Sequence, residues 1–261
     1  MENNNLHTFV ICAYKESEFL EECIKSLKNQ TVKSNIIMVT STPNDLIKKL
    51  SEKYNIKLFI NEGKSGIGED WNYGVSCTET PLVTVAHQDD TYNSNYLEEI
   101  LKIYDRNKNC SIIFGNYREL KNGKVIELTK NLKIKQIMLK GLIKKPESKR
   151  FKQKALKYGN SICCPCVTLN IDVVGKQPFK AGMKSNLDWF TWYEFSKLDN
   201  PFGYVNKDLM CHRIHEQSTT SNLIENNVRL QEDYKMFCEF WPRPIAKMLM
   251  IFYKDAVKTN K

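Results

Sequence analysis

The 261-residue chain contains no run of about 18 apolar residues, so nothing in it reads as a membrane-spanning helix. No apolar stretch follows Met1-Glu2-Asn3-Asn4-Asn5, which argues against a secretory leader. A disulfide framework is also missing. The nine cysteines are odd in number and scattered, a pattern of reduced thiols in a cytoplasmic protein. Their single cluster, Cys163-Cys164-Pro165-Cys166, lacks a second ligand pair at zinc-site spacing and reads as buried strand cysteines. Acidic residues are scarce in one place: between Lys121 and Tyr158 stand 13 Lys and Arg against 2 Glu. That local excess of +11 exceeds the net charge of +9, so the remainder of the chain is slightly acidic. The basic segment has only Phe151 and Tyr158 as aromatics, too few for stacking nucleic-acid bases, and no nucleic-acid partner is expected.

What is present is enough apolar residue, 41% with 11% aromatic, for a substantial core. Strand and helix patterns alternate through the first half. Strands are expected over His7–Ala13, Asn35–Thr40, Ile56–Ile60 and Leu82–Ala86, with helices over Ser17–Asn29, from Thr42-Pro43-Asn44-Asp45, over Ile67–Ser76 and from Ser94. Such alternation implies right-handed crossovers and an α/β fold with a mainly parallel sheet. The second half is less regular. A hairpin joins Ser111–Leu120 to Lys124–Leu128 through Lys121-Asn122-Gly123, and a strand runs over Ser161–Leu169. A helix follows Asn186-Leu187-Asp188, strands cover Tyr204–Val205 and Leu209–Ile214, and helices over Asn222–Glu239 and Pro244–Val257 finish the chain.

The stretch with most chemistry is Val83-Thr84-Val85-Ala86-His87-Gln88-Asp89-Asp90. A β-branched run reads as a strand buried on both faces, and it ends in adjacent carboxylates. In open α/β sheets, ligands bind just beyond the carboxyl ends of strands. Two neighbouring acids repel each other, and a hard divalent cation, Mn²⁺ or Mg²⁺, offsets that most directly; a solvated Asp-rich turn is the alternative.

The order of motifs resembles the family 2 glycosyltransferases, which use nucleotide sugars and have the GT-A fold, a Rossmann-like sheet flanked by helices. The resemblance rests on Ala13-Tyr14-Lys15-Glu16 after the first strand, Thr40-Ser41-Thr42-Pro43 after the second, Trp71-Asn72-Tyr73-Gly74, His87-Gln88-Asp89-Asp90, Leu187-Asp188-Trp189 and a late His215. It runs from about Thr8 to Ser221. It implies a GT-A domain over residues 1–220, with a nucleotide-binding half to 110, an acceptor half carrying the basic insertion 121–158, and C-terminal helices packed on it. It implies transfer of a sugar from a nucleotide-sugar donor to a hydroxyl of a glycan or lipid-linked glycan, inverting and metal-dependent, in surface-glycan assembly. By the same resemblance Ala13, Tyr14, Glu16, Ser41, Lys64 and Asn72 line the donor pocket, with Tyr14 stacking on the nucleobase. Asp89 and Asp90 serve ribose and cation, Asp90 foremost the cation. His215 is a further ligand or a diphosphate contact beside Arg213, and Asp188 is the base. Two departures stand out. Thr40 and Ser41 occupy the place of an acid that usually meets the nucleobase, and His87 that of the usual first Asp. Two other classes stay open from the residues: a nucleotidyltransferase, against which the Gly-free turn Ala13–Ser17 argues, and a nucleic-acid-binding module.

The basic segment carries one more expectation. A helix over Leu132–Ile143 would place Ile134, Ile137, Met138 and Leu142 on one side, next to Lys133, Lys135, Lys140 and Lys144. Such a helix suits peripheral docking on an anionic membrane at its inner face. The alternative is an apolar side packed on the domain with solvated lysines.

Overall fold

The structure, a computed structural model, describes residues 5–64, 66–180, 183–215 and 228–258. The first half alternates as the pattern requires: β1 (His7–Cys12), α1 (Leu20–Lys28), β2 (Asn35–Thr40), α2 (Asp45–Lys53), β3 (Lys57–Ile60), α3 (Ile67–Ser76), β4 (Leu82–His87), a two-residue β5 (Thr91–Tyr92) and α4 (Tyr96–Arg106). Then come β6 (Ile112–Lys121), β7 (Lys124–Val125), α5 (Lys130–Leu139), α6 (Gly141–Lys144), α7 (Lys149–Leu156), β8 (Val167–Asn170) and α8 (Ile171–Val174). The chain continues through α9 (Leu187–Ser196), β9 (Phe202–Ile214), α10 (Val228–Phe240) and α11 (Arg243–Lys258).

One sheet runs in the order β3-β2-β1-β4-β8-β6-β9-β5, with β7 paired to β6. β1 to β4 are mutually parallel, and β6 and β9 run the same way. β8 is antiparallel to both its neighbours and reverses the rule locally. β1 and β4 sit centrally and are buried along their length until the last residue, which explains their unbroken apolar sequence. The polar exceptions are satisfied across strands: His7 bonds Ser34 Oγ and Thr84 Oγ1, and Thr84 bonds Thr168. Burial pushes His7 down to about 3, so it sits in the sheet as a neutral imidazole.

The aromatic helix α9 is buried by Trp189 and Trp192, and α10 and α11 cover it. Phe237 meets the Trp189 ring edge-on at 5.4 Å, and Met236, Phe237, Ala246 and Met250 belong to the same core. No helix among the described residues is long and apolar enough to cross a membrane.

Several sequence expectations are corrected in the second half. The hairpin turn is right: Asn122 and Gly123 both have positive φ, 51° and 71°, as a two-residue type I′ turn demands. Its second strand is only two residues long, because the chain leaves toward α5. The expected strand over Ser161–Leu169 begins only at Val167; Cys164–Cys166 form a 3₁₀ turn, which Pro165 favours because it lacks an N–H. Residues 204–205 and 209–214 are one strand with a bulge opposite Gly115 and Asn116. The charged stretch after residue 144 folds into α7, anchored by Lys152, whose Nζ donates to the carbonyls of Leu198 and Asn200 at 2.7 and 2.8 Å. The expected helix breaks at Lys140–Gly141, and its faces are turned: Leu132, Leu139 and Leu142 are buried while Ile134 and Ile137 are exposed. Lys135 points inward, donating to Tyr117 Oη at 3.0 Å. The first residues of the expected helix over 222–239 lie outside the described residues.

The Asn-x-Gly signature has a packing reason. A Cβ at Gly74 would meet Val10 Cγ1 at 2.5 Å and Val39 Cγ2 at 3.1 Å, so only glycine lets α3 lie this close to β1 and β2. Gly74→Ala is expected to destabilise the fold by about 1–3 kcal/mol, from overpacking in a buried helix–sheet contact. Urea denaturation checks this; an unchanged midpoint would mean that α3 can shift freely.

Candidate active site

The carboxyl ends of β1, β4 and β9 converge. β4 ends in His87, and the turn after it carries Gln88, Asp89 and Asp90. Asp90 is 1% exposed and accepts the backbone N–H of Arg213 at 2.8 Å. The Arg213 guanidinium donates from Nε to the Asp89 carbonyl at 2.8 Å and from Nη2 to Glu22 at 2.5 Å, and it lies over the Phe19 ring. Arg213 therefore clamps the acidic turn to α1. His215 Nε2 lies 2.9 Å from Asp89 Oδ2.

These groups leave a set of ligands facing one point. One ligand atom each from His87, Asp89 and Asp90 lies within 4.8 Å of the others. His87 Nε2 and the second oxygen of Asp90 are buried without a hydrogen-bond partner. Buried polar atoms of this kind are costly unless something binds them, so the donor set fits a hard divalent cation. The titration behaviour agrees. Burial, then the neighbouring Asp89, pushes Asp90 well above the usual carboxylate range. Burial also works against ionised Asp89, but the bond from His215 and the nearby His87 and His212 outweigh it and hold that carboxyl low. Burial drives the His87 imidazole down, toward the neutral form that ligates metals. The Trp71 ring stacks on His87 at 5.1 Å and fixes its plane.

The turn after β1 borders this point. Ala13 is buried and hydrogen-bonds the Val39 carbonyl, whereas Tyr14 and Glu16 are exposed. Gln88 ties the turn to β4 by accepting the Tyr14 N–H and donating to the Tyr14 carbonyl. Lys15 adopts φ 54°, a left-handed conformation that is rare for lysine, and its N–H donates to Thr42 Oγ1 at 2.6 Å. At the ends of β2 and β3, Ser41 Oγ and Asn61 Nδ2 both donate to the Asp70 carboxylate at 2.7 Å. An acid thus stands next to Ser41 after all, supplied by α3. Lys64 is exposed, with Glu69 at 3.5 Å. Asn72 spends both ends of its amide on Phe179, donating to the carbonyl at 2.6 Å and accepting the N–H at 3.0 Å, so it braces the segment before α9.

Asp188 sits in the first turn of α9, a place that favours a carboxylate. It accepts from Asn160 Nδ2 and from the Trp189 N–H, each at 2.7 Å. Burial raises it to about 6, against the pull of the Trp189 N–H, Arg229, Asn160 and Lys135. Burial raises the Cys163 and Cys164 thiols, and the charges of Asp90 and Asp188 add to it, as both acids lie near the same cysteine turn.

The family description Glycosyl transferase family 2 matches residues 8–174, more than half of the chain. The chain belongs to glycosyl transferase family 2. An uncharacterized glycosyltransferase of Haemophilus influenzae is 24% identical over 231 residues, which cover 85% of this chain and 69% of that protein. Among solved structures, residues 1–349 of S. aureus TarS in complex with UDP-GlcNAc are similar, with TM-score 0.64, 16% identity, and 94% and 70% of the two chains covered. So is the mannosyltransferase PcManGT from Pyrobaculum calidifontis in complex with GDP-Man and Mn²⁺, with TM-score 0.65, 11% identity, and 93% and 67% covered. The fold is therefore GT-A, and this glycosyltransferase carries its acid pair and Asp188 on one such scaffold.

Sequence reasoning missed Asp70, Trp71, Lys135 and Asn160. Trp71 belongs to a motif already singled out and Asp70 directly precedes it, so they were within reach. Lys135 was read only as a solvated lysine of the basic helix, and Asn160 lies in a segment without motif, where nothing local says which way a side chain turns.

Proposed function

We propose that this glycosyltransferase moves a sugar from a nucleotide-sugar donor to a hydroxyl of a glycan or lipid-linked glycan, with a divalent cation and with inversion, in surface-glycan assembly. The observation that carries the reading is the division of acids. One cluster has buried, partnerless ligand atoms from His87 and Asp90 beside Asp89. A separate, half-buried carboxyl, Asp188, is raised to about 6. The TarS and mannosyltransferase complexes with UDP-GlcNAc and with GDP-Man and Mn²⁺ support the donor class.

Asp89, Asp90 and His87 would hold Mn²⁺ or Mg²⁺, with His215 next to them. The cation, when bound, neutralises charge building on the leaving diphosphate. Arg213 keeps the acidic turn rigid rather than reaching the diphosphate, because its guanidinium is already committed to Glu22 and Asp89. Tyr14 offers a half-exposed ring for the nucleobase, and Asp70, held by Ser41 and Asn61, supplies the acid that Thr40 and Ser41 lack. Asp188 takes the proton from the acceptor hydroxyl as it attacks. With its carboxyl near 6, most of it is ionised at neutral pH, yet it remains basic enough to accept a proton. A single base opposite the leaving group gives an inverted anomer.

The outer side of the basic segment supports a second element. Ile134, Ile137 and Ile143 are exposed next to exposed Lys133, Lys140 and Lys144. Apolar side chains ringed by lysines suit an anionic lipid surface, where each nearby lysine adds about 1 kcal/mol. We place the enzyme peripherally on the cytoplasmic face of a membrane that carries its acceptor.

Asp90→Ala is expected to abolish transfer and Mn²⁺-dependent binding of nucleoside diphosphate with the fold intact. Calorimetry with and without Mn²⁺ checks this, and equal affinity in mutant and parent would remove the cation assignment.

Asp188→Asn is expected to keep donor affinity and lower kcat by ~10²-fold or more, since an amide cannot accept the proton. In the parent, kcat should fall as pH drops through about 6, where the raised carboxyl protonates. A profile flat down to pH 5, or a retained anomer by NMR, contradicts the single-base reaction.

Replacing Lys133, Lys140 and Lys144 with Gln should release the protein from anionic liposomes at low salt. Co-sedimentation unaffected by the change, or no binding by the parent, sinks the docking.

A further inference from the structure

Helix α9 begins with an unusual debt. Its N-cap residue, Asn186, makes no side-chain cap to its own helix, although asparagine is among the residues best suited to that task. The backbone N–H groups leading into the helix are nevertheless satisfied from far away in sequence. Glu232 of α10 accepts the N–H groups of Lys184 at 2.9 Å, Ser185 at 2.8 Å and Asn186 at 2.9 Å. The carboxylate is 6% exposed and uses both oxygens. Its charge lies at the positive end of the α9 dipole. The freed Asn186 amide donates to Asp233 Oδ1 at 2.7 Å, and Asp233 is wholly buried. Arg229, one turn earlier on α10, has Nε 4.0 Å from Asp233 and lowers the Asp188 carboxyl. Two residues after Asn186 stands Asp188, and the next residue, Trp189, is pinned by Phe237 of α10. Both chain neighbours of the turn that presents Asp188 are thus set by one helix outside the residues 8–174 matched by the family description.

We infer that Glu232 and Asp233 are positioning residues for Asp188: they fix the turn Lys184–Asn186 and through it the place and orientation of the base. The inference rests on the reading of Asp188 as that base. Neither residue touches substrate. A carboxylate with two acceptor oxygens suits three converging N–H groups. An amide at this place turns one donor toward another and loses the charge. The turn would then shift, and small misplacements of a reacting group cost turnover heavily.

The test is a double-mutant cycle with Glu232→Gln and Asp188→Asn, measured as kcat, KM for donor and calorimetric donor affinity. Glu232→Gln alone should lower kcat about tenfold or more, with donor KM and affinity unchanged. In the Asp188→Asn background the same change should lower kcat less than about twofold, because no base remains to be misplaced. An equal loss in both backgrounds, or donor affinity falling in step with kcat, overturns the inference in favour of a general structural role. A large loss for Asp188→Asn with kcat unchanged in Glu232→Gln removes the inference alone. A small loss for Asp188→Asn removes the base assignment and the inference with it. If Glu232→Gln does not fold, Asn186→Ala cuts only the Asp233 contact, and the same background dependence is expected; additive losses there also overturn the inference.

Discussion

Asp89 and Asp90 follow one another just past the end of a buried central strand, and the surrounding structure is arranged to tolerate that. Two carboxylates at this spacing in a low-dielectric place repel by several kcal/mol unless charge or hydrogen bonds are brought to them. The chain brings β9. Its last residues deliver the Arg213 N–H to Asp90 and the guanidinium to the Asp89 carbonyl, and His215, just past its end, meets the Asp89 carboxylate. β9 can do so because it is long and parallel to β6, which places its carboxyl end at the same edge as that of β4. β8, antiparallel and short, lies between β4 and β6, and its direction brings the cysteine turn that precedes it to the same edge. The compensation is incomplete. Asp90 still protonates far above the usual range, and one of its oxygens stays unpartnered. The protein thus tolerates electrostatic strain at the place where a cation would relieve it.

A second acid with different demands is kept apart from this strain. The base proposed at Asp188 has to be ionised at neutral pH without being so stabilised that it loses its proton affinity. Burial alone would push Asp188 too high, and the Trp189 N–H, Arg229, Asn160 and Lys135 bring it back to about 6. These four come from α9, α10, the loop after α7 and α5. The carboxyl therefore reports on the assembly of the second half of the chain, whereas the acid pair depends on β4, β9 and α1.

That division also explains what the sequence disclosed. The α/β alternation, the parallel order and the ends of β1, β2 and β4 follow from local periodicity, since a strand buried on both faces must be apolar throughout. Asp89, Asp90 and Asp188 were legible because each opens or closes such an element. The burial of Arg213 and the pair of hydrogen bonds from Asn72 to the Phe179 backbone were not, because both side chains are the types usually left to meet a ligand. Which way α5 turns was misread for a physical reason. With apolar residues at 132, 134, 137, 138, 139 and 142, the helix has two candidate faces, and the choice is made by Tyr117 and the core rather than by spacing. The distant carboxylates of α10 could not be found by any local rule, because Glu232 meets its partners 46 to 48 residues away.

The orientation of α5 has a geometric consequence for where an acceptor is met. Lys135 reaches inward to Tyr117 and acts on Asp188, while Ile134 and Ile137 point outward. An α-helix with its side chains is about 10–12 Å across. A surface lying against the outward isoleucines would therefore be separated from the neighbourhood of the base by a single helix. On the proposed reading, a lipid-linked acceptor held at that surface would have to extend past about one helix diameter to bring its hydroxyl to Asp188. Ile134, Ile137 and Ile143 are 47%, 63% and 54% exposed, so each forgoes about half of the roughly 1.5–3 kcal/mol that full burial contributes. With Ile134, Ile137 and Ile143 exposed beside exposed lysines, the proposed peripheral docking would cover apolar surface that the domain itself leaves in water.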